Sequence, residues 1–163
     1  MIIAAMSDTH DRLDAVEKAI SFFNSQEVTD VLHAGDLVSP FVVRLFSRLN
    51  AKLHYVWGNN EGDHDYITVR LADIGVRPLG HFAALQMGRK KVALLHGTHQ
   101  EIVDSLVNSG AYDLVVRGHN HKAETVEGNT LVVNPGETCG YLSGRQTVAL
   151  IDLDKMHAQI VEL

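Results

Sequence analysis

The first residues of the chain set a rhythm that recurs along it. Ile2-Ile3-Ala4-Ala5-Met6 is a continuous apolar run of strand length, and it breaks abruptly into polar Ser7-Asp8-Thr9-His10-Asp11. Leu13, Val16, Ile20 and Phe23 then recur at helical spacing and predict an amphipathic helix. Val28 to Ala34 reads as a second strand. Pro40 suits the first turn of another helix, whose apolar face lies in Val42 to Leu49. Lys52 to Trp57 reads as a third strand, ending at Gly58. A helix is expected over His64 to Ile74, with Gly75 and Pro78 marking the break before a short fourth strand.

Past Gly80 the pattern shortens. Phe82 to Met87 and Lys91 to Gly97 flank Gly88-Arg89-Lys90, which reads as a hairpin turn, and one more helix is expected around Glu101 to Ser109. Five closely spaced strands follow, at Leu114 to Gly118, Lys122 to Gly128, Thr130 to Gly136, Gln146 to Leu153 and His157 to Leu163. The expectation is an α/β chain with a parallel first half and an antiparallel second half. Two sheets would pack together, with helices covering their outer faces.

At 163 residues with no linker, repeat or low-complexity tract, the chain reads as one domain over 1–163, able to bury a core without staples. The net charge of -6 argues against a surface built to hold long nucleic acid by its backbone. Cys139 is the sole cysteine, so an internal disulfide framework is excluded. The opening Met1 to Met6 is too short for a signal-peptide core and lacks a basic flank, and no apolar run approaches a membrane span. A cytoplasmic protein with no membrane partner is expected. Terminal β strands leave a sheet edge through which copies could pair as a homo-oligomer.

The chemistry sits where apolar runs stop. Asp8, His10, Asp36, Asn59, His96, His119 and His121 each follow a predicted strand and precede a turn. In α/β proteins ligands bind at the carboxyl ends of strands, so oxygen and nitrogen donors arriving there from five segments suggest a metal centre. Asp8 and His10, like His119 and His121, stand two apart, and in extended backbone such residues point the same way. Seven ligands exceed what one tetrahedral ion takes, which favours two ions sharing a bridging carboxylate, with Asp36 as the candidate. Carboxylate, amide and imidazole donors without thiolate do not choose among manganese, nickel, iron and zinc; manganese is the first expectation. No Ser-His-Asp or Cys-His arrangement and no P-loop offers another mechanism.

The remaining candidates receive structural readings. His33, His54, His64, His81 and His157 are assigned hydrogen-bonded structural roles, His33 being close enough to Asp36 to support it. Glu61, Asp63 and Asp65 read as a solvated loop, and Arg89-Lys90-Lys91 as turn chemistry. Trp57 and Phe41 are assigned to the core. Glu137 and Arg145 receive no role.

Taken in order, Asp8-Thr9-His10, Gly35-Asp36, Gly58-Asn59-Asn60-Glu61, His96-Gly97 and Gly118-His119-Asn120-His121 resemble the motif series of the calcineurin-like metallophosphoesterases, in their small bacterial and archaeal branch, over nearly the whole chain. Asn134-Pro135-Gly136 resembles a turn common in that branch. The resemblance implies a four-layer αββα sandwich of two mixed β-sheets flanked by helices. It also implies a dinuclear site, with one ion held by Asp8, His10, Asp36 and His121 and the other by Asp36, Asn59, His96 and His119. A bridging hydroxide would attack a small phosphodiester substrate. Many larger relatives carry histidine where this chain has Asn60, and an amide cannot transfer a proton at neutral pH. His99 is the candidate substitute, and Asn60 and His99 are the expected catalytic side chains beside the metals. A strong dependence of rate on leaving-group acidity is therefore expected. Two alternatives remain: a phosphomonoesterase, and a protein-interaction scaffold resembling the retromer subunit of this fold, although none of the seven ligand positions is replaced.

Overall fold

The computed structural model describes all residues, 1–163. Its strands are β1 (Ile2–Met6), β2 (Asp30–His33), β3 (Lys52–Tyr55), β4 (Phe82–Met87), β5 (Lys90–Leu95), β6 (Leu114–Val116), β7 (Ala123–Val126), β8 (Leu131–Pro135), β9 (Thr147–Asp152) and β10 (His157–Glu162). Its α-helices are α1 (Leu13–Ser25), α2 (His64–Asp73) and α3 (Gln100–Asn108). One sheet runs β10-β9-β1-β2-β3 and the other β4-β5-β6-β8-β7.

Alternation along β1 shows why the sheets stack. Ala4 and Met6 join the core beneath α1 and α2, whereas Ile3 and Ala5 join the core between the sheets. On the far side Ala93, Leu95 and Val115 of the second sheet pack with Val103 of α3. Helices, sheet, sheet and helix form the expected four-layer αββα sandwich.

Three expectations change. The second half is mixed rather than antiparallel: β5, β6 and β8 run parallel, because α3 carries the chain back between β5 and β6. β9 and β10 leave that half and pair antiparallel with β1 and each other. The helix expected after Pro40 is a 3-10 helix, Val43–Arg48, entered by Val43 and Leu45 donating to Pro40 and Val42. Its β-branched start and the few residues left before β3 do not favour a full α-helix. No fourth strand follows Pro78; Leu79 and Gly80 instead bond to Tyr55 and Trp57 at the end of β3.

The mixed topology positions the site. Parallel β1, β2 and β3 in one sheet and parallel β5, β6 and β8 in the other deliver their carboxyl-terminal loops to one edge of the sandwich.

Candidate metal centre

The loops at that edge are short and tied to one another. Asp8, His10 and Asp11 donate backbone N–H groups to the carbonyls of Gly35, Asp36 and Leu37, and Thr138 and Cys139 donate to Ser7 and Asp8. Gly118 donates to His96 and Arg117 to Val133, joining the loops of the other sheet. The ligand pairs are not in extended backbone, contrary to the expectation from their spacing. Asp8, His10, Asp36, His119 and His121 have positive φ, from 40° at His10 to 76° at His119. Asp and His tolerate this left-handed region better than most residues, at a cost of roughly 1–2 kcal/mol each, and the surrounding backbone bonds hold them there.

All seven sequence-predicted ligands lie in these loops, and two groups bring their donor atoms within 4.8 Å of one another: Asp8, His10 and His121, and Asp8, Asp36 and His96. His121 Nε2 stands 3.3 Å from Asp8 Oδ1, with His10 Nε2 3.9 Å from the same oxygen and 3.5 Å from Asp36 Oδ2. His96 Nε2 is 3.4 Å from Asp36 Oδ1. Asn59 and His119 meet through Asn59 Oδ1 and His119 Nδ1 at 2.9 Å. Asp8 Oδ1, His10 Nε2 and His96 Nε2 are buried without a hydrogen-bond partner. Each orphaned atom of this kind costs about 1–3 kcal/mol, so three of them converging at one strand edge fit a shared cation as their partner.

Other bonds fix which nitrogen faces inward. His96 Nδ1 donates to the Ala34 carbonyl at 2.8 Å, leaving Nε2 with its lone pair toward Asp36. His121 Nδ1 lies 2.8 Å from the Glu137 carboxylate, leaving its Nε2 toward Asp8. His119 contributes its backbone N–H to Asp8 Oδ2 at 3.1 Å. The charges are strongly coupled. Burial would raise the Asp36 carboxyl, but His96 and Asn60 outweigh it and hold Asp36 below the usual carboxylate range. Asp8 and then Asp36 raise His10 against its burial, and Asp36 raises His96 against burial, whereas burial and the neighbouring His96 lower His119. Imidazoles facing carboxylates in this way are a cation-seeking donor set, and the residues fit divalent metal.

Sequence reasoning missed Glu137. It follows β8, the third parallel strand of the second sheet, and is 1% exposed. Its carboxylate accepts from the backbone N–H groups of Leu142 and Ser143 as well as meeting His121. Burial opposes its ionisation, but the bonds from Ser143, His121 and Leu142 hold it down to about 2. The signal was present: Leu131 to Pro135 is an apolar strand ending in a turn, as are the segments before the other site loops.

Glu61 is also not a solvated acid. It accepts from the backbone of Leu37, Val38 and Gly58, stitching the loop after β2 to the loop after β3. Asp63 caps α2 by accepting from the Tyr66 N–H at 2.9 Å. Asn60, expected among the catalytic side chains, bonds to Asp36 within the centre: its backbone N–H reaches Asp36 Oδ1 at 2.9 Å and its amide Nδ2 reaches Oδ2 at 2.7 Å. His99 immediately precedes α3 as its N-cap and lines a groove with Asn59 and His96. His33 is buried and neutral, burial lowering it to about 4; its Nδ1 accepts from the Gly35 N–H and its Nε2 meets Thr9 Oγ1. His54 meets Asp30 and His157 meets Glu127, while His64 stacks on Trp57. Phe41 is 74% exposed and is not core, because it precedes the 3-10 helix rather than lying on its buried face.

The motif glycines are required by close approach. A Cβ on Gly58 would lie 2.0 Å from Asp36 Oδ1, and one on Gly118 would lie 1.8 Å from Ser7 Oγ and 2.6 Å from Asp8 Oδ2. These glycines let the ligand-bearing backbones touch.

A sandwich whose parallel strands gather carboxylates and imidazoles at one edge is a fold that presents a candidate metal centre, and its likeness to known proteins identifies the class. The chain belongs to the calcineurin-like phosphoesterase superfamily, whose domain model matches residues 1–156. Members of that superfamily use divalent metals. The chain is similar to Phosphodiesterase MJ0936 of Methanocaldococcus jannaschii, at 40% identity over 158 residues and 95% of each protein. It superposes on a solved archaeal phosphodiesterase with a TM-score of 0.95 at 39% identity, covering 100% of both chains. Vps29 from Entamoeba histolytica shares the fold at 19% identity and a TM-score of 0.72, over 100% of this chain and 99% of that one. The resemblance drawn from the motif series is borne out. No helix is long and apolar enough to cross a membrane.

Proposed function

We propose that this chain is a phosphodiesterase acting on small diesters through a dinuclear metal centre, with Asp8, His10, Asp36 and His121 holding one ion and Asp36, Asn59, His96 and His119 the other. The observation that carries this reading is the convergence of Asp8 Oδ1, His10 Nε2 and His96 Nε2, buried and unpartnered, around Asp36. The likeness to an archaeal phosphodiesterase along the whole chain supports the reaction class.

Two bound divalent ions supply a water acidified toward a pKa of about 7 and positive charge for the phosphoryl oxygens. The protein does the rest. Asp36, buried and bonded by both donors of Asn60, presents a fixed carboxylate between the two groups of imidazoles. Ala34 and Glu137 hold the ligand nitrogens of His96 and His121 inward. With the Asn60 amide occupied, His99 is the side chain proposed to protonate the departing alkoxide, so His99→Ala should slow poor leaving groups more than good ones. Equal slowing of both would reject that role.

The test is hydrolysis of bis-p-nitrophenyl phosphate against p-nitrophenyl phosphate by stripped protein reloaded separately with manganese, nickel or zinc. Diester turnover that returns with metal and disappears in Asp36→Asn supports the proposal. Two bound ions without turnover would refute it.

A further inference from the structure

A groove of about 570 Å³ opens directly from the candidate metal centre, sharing Asn59 and His96 with it. Trp57, Phe82, Ile102 and Leu106 give it apolar walls, and His81 and His99 stand among them. No Lys, Arg, Asp or Glu lines it. A separate groove lined by Phe41 differs, since Arg44, Arg70 and Asp73 line it as well. A group that carries a second phosphate would therefore leave water for the groove beside Asn59 without meeting a compensating cation.

The aromatic walls are also packed against neighbouring rings. Trp57 is stacked on His64 at 4.2 Å between ring centroids and held edge-on by Tyr55 at 5.1 Å. Phe82 meets Tyr112 edge-on at 6.1 Å, while 41% of it remains exposed. Held aromatic walls favour a planar guest over a flexible acyl chain, and imidazoles offer hydrogen bonds that an acyl chain cannot use. Resting on the phosphodiesterase reading, we propose that this groove seats one organic group of the diester, and that this group is an uncharged heteroaromatic ring of nucleobase type.

Trp57 is the sole tryptophan, so fluorescence excited selectively at tryptophan reports on this groove and not on the four tyrosines. Adenosine carries no phosphate, and its titration into stripped protein tests the groove without the metals. Saturable quenching is expected, and Ile102→Glu and Phe82→Ala should each weaken it at least about tenfold. Both changes should raise KM for thymidine 5′-(p-nitrophenyl phosphate) more than they lower kcat. Ile102 is 51% exposed, so Ile102→Glu does not threaten the fold. Val69→Glu, on the exposed face of α2, should change neither readout.

No adenosine response alongside intact diester turnover would overturn the groove assignment and leave the phosphodiesterase reading standing. Quenching by a short-chain lysophospholipid but not by adenosine would overturn it in favour of an acyl guest. Saturable adenosine binding without any diester turnover would keep the heteroaromatic site and refute the phosphodiesterase reading.

Discussion

The two sides of the candidate metal centre are built differently. Around Asp8, the imidazoles of His10 and His121 stack 5.2 Å apart, and His121 is backed by a buried, ionised Glu137 that is itself fixed by backbone donors. Around His96 the backing is a neutral carbonyl, that of Ala34, and Asn59 is exposed and opens onto the groove. A carboxylate behind an imidazole strengthens it as a ligand more than a carbonyl does. On the proposed dinuclear reading, the Asp8 side would hold its ion tightly and the Asn59 side would hold the ion that exchanges and meets substrate.

The largest expected effect removes the distinction. Gly58→Ala would press a Cβ against both the side chain and the backbone of Asp36, costing about 3 kcal/mol or more in stability and disordering both sides. Gly75→Ala, at a positive φ of 75° that Gly58 does not share and with nothing within 4 Å, should cost only about 1 kcal/mol. Denaturant midpoints of the two variants would measure the difference, and a loss in Gly58→Ala no greater than in Gly75→Ala would show that the close approach to Asp36 is relieved by local relaxation.

Asp36→Asn comes next, because Asp36 faces imidazoles of both sides. Both ions should weaken together, by more than about a hundredfold. Metal analysis after dialysis against a graded chelator would read this, and two ions still tightly bound would refute the shared carboxylate.

Glu137→Gln separates the sides. It keeps the shape but removes the charge behind His121, so affinity should fall about 10–100-fold on the Asp8 side alone. Asn59→Ala should have the complementary effect, losing the more weakly held ion while the other stays. Calorimetric titration showing the same binding step lost in both variants would remove the proposed asymmetry. The smallest effect is expected from Asn60→Ala, which deletes the bond to Asp36 Oδ2 but keeps the backbone bond to Oδ1. A loss in metal affinity of about tenfold, from one hydrogen bond to a charged group, should be measured with little change in leaving-group dependence. A marked change in that dependence would return Asn60 to the reacting atoms.

Much of this site was legible because it lies at the ends of apolar runs. Met6, His33, Leu95 and Val116 each end a strand a few residues before a donor, and a strand end is a local property. What the donors do once there was less legible. The spacing of Asp8 and His10 suggested extended backbone, yet both residues adopt positive φ, because the loop is bent to donate to Gly35 and Asp36 from another strand. Asn60 stands where many larger relatives carry histidine, and its two bonds to Asp36 are visible only in the structure. Glu137 is 16 residues beyond His121, and the two meet because β6 pairs parallel with β8.

The sequence by itself determined the alternation of strands and helices through periodicity, and the four-layer class and the seven candidate donors through the resemblance carried by its ordered short motifs. Tertiary structure alone decided that β9 and β10 cross to the first sheet, that Glu61 stitches two loops, that Glu137 backs one side of the centre, and that an uncharged groove opens from the other. The physical reason is range: hydrophobic periodicity acts over a few residues, whereas strand pairing and the partner of a buried polar atom are settled only when distant segments meet.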